Sequence, residues 1–432
     1  MKHNIIKLNQ TLGYYTPAFF QIYVNTENPV DLHKLNVQEF TTFIHEYTHF
    51  LQDVSTLKGL QNIYNIYEWL RFFVTETAKV EKVAIPFNLL HPVLNLNQQI
   101  SKISWGSDTG INKISSFTNA KVDPVTVPPN IMSQYPVLNS FFIVNVDAVL
   151  PDGSVKPLQI GTLAVMESMA HLAEGLMGLP VTQSPDYPYN TMRLLADYLC
   201  PAANLSDEVL FAVCDISLQR TTPGVQAFII LSDYGNGTVR LPTDGYDVYR
   251  QFHRAFDEWN NPDPNSLLNG AFEHLHELVK PPMGERYQAW VDNVQSLALD
   301  LRRNNPAFLI DQFRKKGMYA DIVNRIGTPL MVNNKEQYSK VPAQLTGNYP
   351  IDMDVEFFPA LGYLLNLYES GQKKCPMQTW CRDSKINTDC NCDVNPLKRA
   401  NPRLYPKFCP VGGLWYSWGM KDYIIRGMEI TK

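Results

Sequence analysis

The chain offers little that a membrane or a nucleic acid could hold. Its 432 residues contain no uncharged apolar run of about 18 or more, so the sequence predicts no membrane span. Charge is sparse, at 18% of residues with a net charge of −5, and no basic run is interleaved with aromatics. That argues against a nucleic-acid partner. The opening Met1-Lys2-His3-Asn4-Ile5-Ile6-Lys7 has no apolar core, which argues against a signal peptide and makes the cytoplasm the expected compartment. No repeat of fixed period runs through the chain, so a solenoid is not expected. Cysteine is nearly absent before residue 370, where Cys200 and Cys214 sit in apolar helical contexts and read as buried structural residues. What the chain does have is 45% hydrophobic residues, ordinary for a globular enzyme, and enough length for a large core.

Its most informative stretch is Thr42-Phe43-Ile44-His45-Glu46-Tyr47-Thr48-His49-Phe50-Leu51, which reads H-E-x-x-H. Asn36 followed by Glu39 forms a capping-box pair ahead of it. Val37, Phe40, Ile44, Tyr47, Leu51 and Val54 recur at helical spacing, and Gly59 reads as a stop. On that helix two imidazoles four residues apart share one side and can grip one Zn²⁺. Glu46 stands beside them, placed to take a proton from a water polarised by the metal. The reading puts one side of the helix in a core and the histidine side toward a cleft.

These residues resemble the active helix of the zincin superfamily of zinc metallopeptidases. Thr42, Ile44, Tyr47, Thr48, Phe50 and Leu51 satisfy the extended signature. Gln52 stands where the metzincin branch requires Gly. The resemblance implies a sheet edge beside the helix, where an extended substrate adds as a strand. The stretch 17–24 is the expected strand leading toward the motif.

Further along, Phe141–Val149 and Val155–Ile160 read as a hairpin around Pro151-Asp152-Gly153-Ser154. It delivers the chain to an apolar helix, Leu163–Met177, whose Glu167, His171 and Glu174 share one stripe. Carboxylates and an imidazole on so apolar a helix are costly unless paired or coordinated. The gluzincin branch of the zincins takes its third ligand from a Glu on a separate downstream helix, with a supporting polar group one turn later. That resemblance implies Glu167 as ligand and His171 as support, with His171 as the alternative ligand. Residues 84–136 read as loops and short elements. Helices are expected at 190–199, 206–219, 247–259, 266–279, 285–303 and 354–369.

Cys375, Cys381, Cys390, Cys392 and Cys409 crowd a loop-like, Pro- and Asn-rich tail. Thiolates there could hold a structural Zn²⁺ or an iron–sulfur cluster, with free thiols or disulfides as the plain alternative.

The expected fold class is therefore α+β, predominantly helical. A zincin-like core over residues 1–180 would carry a small sheet and hairpin beside the active helix. A helical body over 181–370 would form a second lobe, and 371–432 a cysteine-rich tail. The expected function is a zinc metallopeptidase acting on a peptide or protein, with His45, His49 and Glu167 on catalytic Zn²⁺ and Glu46 as general base. Tyr187 and Tyr189 are candidates to stabilise the developing oxyanion, and Asp53 to orient an imidazole. The alternative is a zincin-scaffold binding or regulatory protein, inactive or latent until a partner protein releases it.

Overall fold

The computed structural model describes residues 12–79, 82–87, 92–125, 141–180, 184–253, 263–280, 284–314, 319–339, 356–371, 374–383, 409–420 and 424–426. Within them the protein is a predominantly helical α+β structure with small sheets. The first four described helices are α1 (Val37–Ser55), α2 (Leu57–Thr77), α3 (Pro92–Trp105) and α4 (Thr162–Leu176), of which α1 and α4 carry the site. The strands are β1 (Gly13–Thr16), β2 (Gln21–Val24), β3 (Lys82–Ala84), β4 (Ser116–Pro124), β5 (Phe142–Val149), β6 (Val155–Ile160), β7 (Leu330–Val332), β8 (Tyr338–Ser339) and β9 (Ile424–Arg426). Among the described residues no helix is long and apolar enough to cross a membrane.

The motif helix α1 begins as its sequence dictates. The Asn36 side chain accepts from the Glu39 amide at 3.0 Å, and the Glu39 carboxylate accepts from the Asn36 amide at 2.9 Å. Beyond its first turn the helix differs from an amphipathic surface element, because every residue from Thr41 to Ser55 is buried. It packs against α2, α4, the helix Glu285–Asn304, β1 and β2. The histidine side therefore lies against α4 and is not an open face.

Gly59 does not end α1. Thr56 does, with extended backbone at φ −118° and ψ 153°. Its hydroxyl closes one helix by donating to the Gln52 carbonyl at 2.7 Å and opens the next by accepting from the Gly59 amide at 3.0 Å. Gly59 belongs to the first turn of α2, where a Cβ would stand 2.3 Å from the Gln52 carbonyl oxygen and 2.4 Å from the Asp53 Cα. Only glycine lets α2 start so close to the end of α1.

The expected strand at 17–24 is split. Residues 21–24 form β2, while Ala18 and Phe20 take left-handed backbone and turn the chain from β1, which pairs antiparallel with β2. β2 pairs parallel with β7, and the four-stranded sheet runs β1-β2-β7-β8. Asp53 anchors this hairpin on α1. Its Oδ2 accepts from the Tyr15 hydroxyl at 3.0 Å and the Ala18 amide at 3.1 Å. Gly13 lies so close that a Cβ would meet Thr42 Cγ2 at 2.4 Å and Glu46 Cγ at 3.2 Å.

The predicted hairpin forms as β5 and β6, with β4 as a third antiparallel strand. β4 and α3 lie in the stretch read as loops. β4 escapes sequence detection because a bulge between Thr118 and Lys121 breaks its alternation and its partner is β5. The helix Pro223–Gly235 also went unpredicted: Pro223-Gly224 looks like a breaker, but the proline occupies its first turn. One hydrophobic cluster extends from Tyr15 to Met420 and draws residues from all three expected segments. The end of the helix expected at 247–259 and the stretch 126–140 lie outside the described residues.

Candidate metal centre

Residues from α1 and α4 converge on one point. His45 Nε2 lies 3.1 Å and His49 Nε2 3.5 Å from Glu167 Oε2. The three donor atoms all fall within 4.8 Å of one another, and among the described residues this is the group of His, Cys, Asp and Glu able to hold a metal ion. Tetrahedral ligands about 2.0–2.1 Å from one zinc stand about 3.3–3.4 Å apart, close to the two spacings made by Glu167 Oε2.

Spacing alone would also suit ion pairs, but the far side of each ring narrows the choice. His45 Nδ1 lies 2.6 Å from Glu174 Oε1. An ionised carboxylate only accepts, so this nitrogen carries a proton. His49 Nδ1 lies 2.8 Å from Gln52 Oε1, while Gln52 Nε2 donates to the Met166 carbonyl at 3.0 Å. That fixes the amide orientation and puts a proton on Nδ1 of His49 as well. With both rings neutral, two Nε2 lone pairs and a carboxylate oxygen face one another. Only positive charge, from protons on the rings or from a cation, satisfies that arrangement.

The electrostatics agree. Burial alone would keep His45 neutral, yet its hydrogen bonds to Glu167 and Glu174 raise its pKa well above the usual imidazole range. His49 is raised too, with burial overcome by Glu167. Burial opposes ionisation of Glu167, but His49 and His45 hold its carboxyl well below the usual range. Glu46 is raised, first by burial and then, against the pull of His45 and His49, by the Glu167 and Glu174 charges. Three glutamates thus share a largely buried site with the imidazoles, and carboxylate and imidazole together are a donor set suited to zinc.

His45, Glu46 and His49 are 7–8% exposed. The side chains of Glu167 and His171 each keep 18% exposure, so the site meets solvent on the α4 side. His171 does not reach the converging atoms. Its Nδ1 stands 3.6 Å from Glu174 Oε2 without a hydrogen bond, and the structure gives the supporting contact to Glu174.

The two tyrosines separate clearly. The Tyr187 hydroxyl donates to the carbonyls of Ser107, at 2.9 Å, and Gln159, at 3.1 Å, which ties the loop down away from the histidines. Tyr189 lies over the site, its ring centroid 5.6 Å from that of His45 and 6.1 Å from that of His171. Burial, then Glu167, Glu46 and Glu174, raise its pKa and keep the hydroxyl protonated. Ser168 fixes this placement by donating to the Pro188 carbonyl at 3.0 Å. Asp53 touches neither ring by hydrogen bond and serves the β1–β2 turn instead.

Gln52 and Glu174 are the contacts that sequence reasoning missed as ring partners. Glu174 stood on the Glu167 stripe, and Gln52 lies one helical turn after His49. Both positions were visible, but nothing in an uncharged amide announces its role.

In the tail, Cys375 and Cys381 are buried, and Cys409 Sγ accepts from the Gly412 amide at 3.4 Å as a helix cap. Among the described residues none of the three forms a disulfide. Burial pushes the Cys375 thiol up to about 12, with Cys409 and Cys381 adding to the effect. Cys390 and Cys392 lie outside the described residues. Comparison of the chain with protein-family models, with curated proteins and with solved structures found no match.

Proposed function

We propose that this chain is a zinc-dependent metallopeptidase of zincin type, with His45, His49 and Glu167 as the metal ligands. The observation that carries the reading is the convergence of two imidazole Nε2 atoms and one carboxylate oxygen on one point, with both ring Nδ1 positions already used. Zinc bound there would supply Lewis acidity, polarising an amide carbonyl and making water a competent nucleophile near neutral pH. Glu46 is the general base: burial raises its proton affinity toward the range useful at neutrality. It takes the proton of the attacking water and returns it to the leaving amine. Tyr189 makes no hydrogen bond to another described residue, which leaves its hydroxyl available to the developing oxyanion. The substrate class is an extended peptide, supported by β1, which ends the first sheet and presses Gly13 onto Glu46.

The test combines a mass-spectrometric peptide-cleavage assay with zinc analysis. Glu46→Gln keeps its zinc and loses cleavage by about 100- to 10,000-fold. Tyr189→Phe loses about 100- to 1,000-fold in kcat. Undiminished cleavage by Glu46→Gln removes the general-base role, and an unchanged kcat in Tyr189→Phe removes the oxyanion role. The near closure of His45, Glu46 and His49 favours a second reading, a regulatory protein of the same scaffold that stays latent until a partner opens it. Full zinc occupancy without cleavage of any peptide in the library selects that reading.

A further inference from the structure

We infer that Gln52 is a positioning residue that couples the tautomer of His49 to the placement of Glu167; its metal consequence rests on the zinc reading above. Its amide has two ends and both are committed. Oε1 accepts from His49 Nδ1 at 2.8 Å, and Nε2 donates to the Met166 carbonyl at 3.0 Å. Met166 is the residue immediately before Glu167 on α4. One side chain therefore holds a ligand of α1 in the Nδ1–H form and fixes the backbone that carries the ligand of α4.

The chemistry explains why an amide stands here. A carboxylate could accept from His49 but would face the Met166 carbonyl with no proton to give. An apolar side chain of similar volume would do neither, and it would leave a buried ring N–H unpaired while the Met166 carbonyl kept only its bond within α4. Gln52 itself is fully buried, so water does not replace either bond. His45 has no equivalent device. Its Nδ1 is held by Glu174, a carboxylate of α4 itself, so α4 is tied to both rings but by different chemistry.

The experiment uses the full chain with Gln52→Met and Gln52→Glu. Zinc affinity is read by competition with a chromophoric chelator, and the His49 tautomer by long-range ¹H–¹⁵N spectra of chelator-treated protein, taken at successively higher pH until the His49 signals stop changing and its ring is neutral. Gln52→Met weakens zinc about 10- to 100-fold and loses the single Nδ1–H signature of His49. Gln52→Glu retains that signature, because the acceptor remains, and weakens zinc less. Zinc affinity within twofold of the parent in Gln52→Met overturns the inference, as does an Nε2–H signature for His49 in the parent chain. A parent that binds no zinc but shows the Nδ1–H signature, lost in Gln52→Met, sinks the metal reading and leaves the positioning role standing. Should Gln52→Met fail to fold, the spectra of the parent and of Gln52→Glu still decide the tautomer.

Discussion

Two groups of buried charge flank α1, and they are built to opposite ends. Beneath its C-terminus, Arg302 makes a bidentate pair with Asp215, with Nη1 to Oδ2 at 2.6 Å and Nη2 to Oδ1 at 2.8 Å. Its Nε donates to the Ser55 carbonyl at 3.1 Å, Nη1 also donates to the Pro306 carbonyl, and the Tyr249 hydroxyl donates to Asp215. Every charge there has its partner, and the cation meets a carbonyl at the end of α1, where the helix dipole favours it. In the middle of α1, His45, His49 and Glu167 instead turn two ring nitrogens and a carboxylate oxygen toward one another, with Glu46 and Glu174 adding to the negative charge around them. A closed inventory of partners marks a structural pair. An inventory that closes only when the rings take up protons or a cation joins them marks a candidate site.

The largest effect that tests this contrast is on stability. Arg302→Met leaves Asp215 buried and unpaired, and it should cost about 3–5 kcal/mol, measured by chemical unfolding. His49→Ala removes a group from the site and should cost far less. Equal losses in the two variants would erase the distinction between structural pair and site.

A smaller effect sharpens it through pH. Burial holds the Asp53 carboxyl up to about 7, against donors from Ala18 and Tyr15, and its Oδ1 has no hydrogen-bond partner among the described residues. A carboxyl with a raised folded pKa binds more protons folded than unfolded, so its contribution is fully present below the unfolded value and is lost as pH rises toward about 7. Unfolding free energy, measured from pH 4 to pH 8, should therefore fall with pH relative to Asp53→Asn. Parallel profiles for the two proteins would show that Asp53 does not titrate in that window.

The sequence made the motif helix readable because its signals are local: a capping box, a heptad-like apolar stripe and two imidazoles at helical spacing. The β5–β6 hairpin and α4 were readable for the same reason. Glu167 was nominated by resemblance, and its distance to the histidines depends on how α1 packs on α4, which no local pattern encodes. The burial of α1 beyond its first turn was illegible too, because Thr41, Thr48 and Gln52 look like a solvent face until the two hydroxyls are seen donating to the Val37 and Ile44 carbonyls of the same helix and the amide to Met166 of α4. Tyr187 and Tyr189 were indistinguishable in a Pro-Asp-Tyr-Pro-Tyr loop, since only the fold decides which one meets the site.

The most direct measurement is zinc content and affinity of the purified full chain beside His49→Ala and Glu167→Gln. The account predicts one tightly held zinc in the parent that is lost from His49→Ala and weakened in Glu167→Gln. Zinc retained unchanged in both variants, or a parent that binds none, would contradict it.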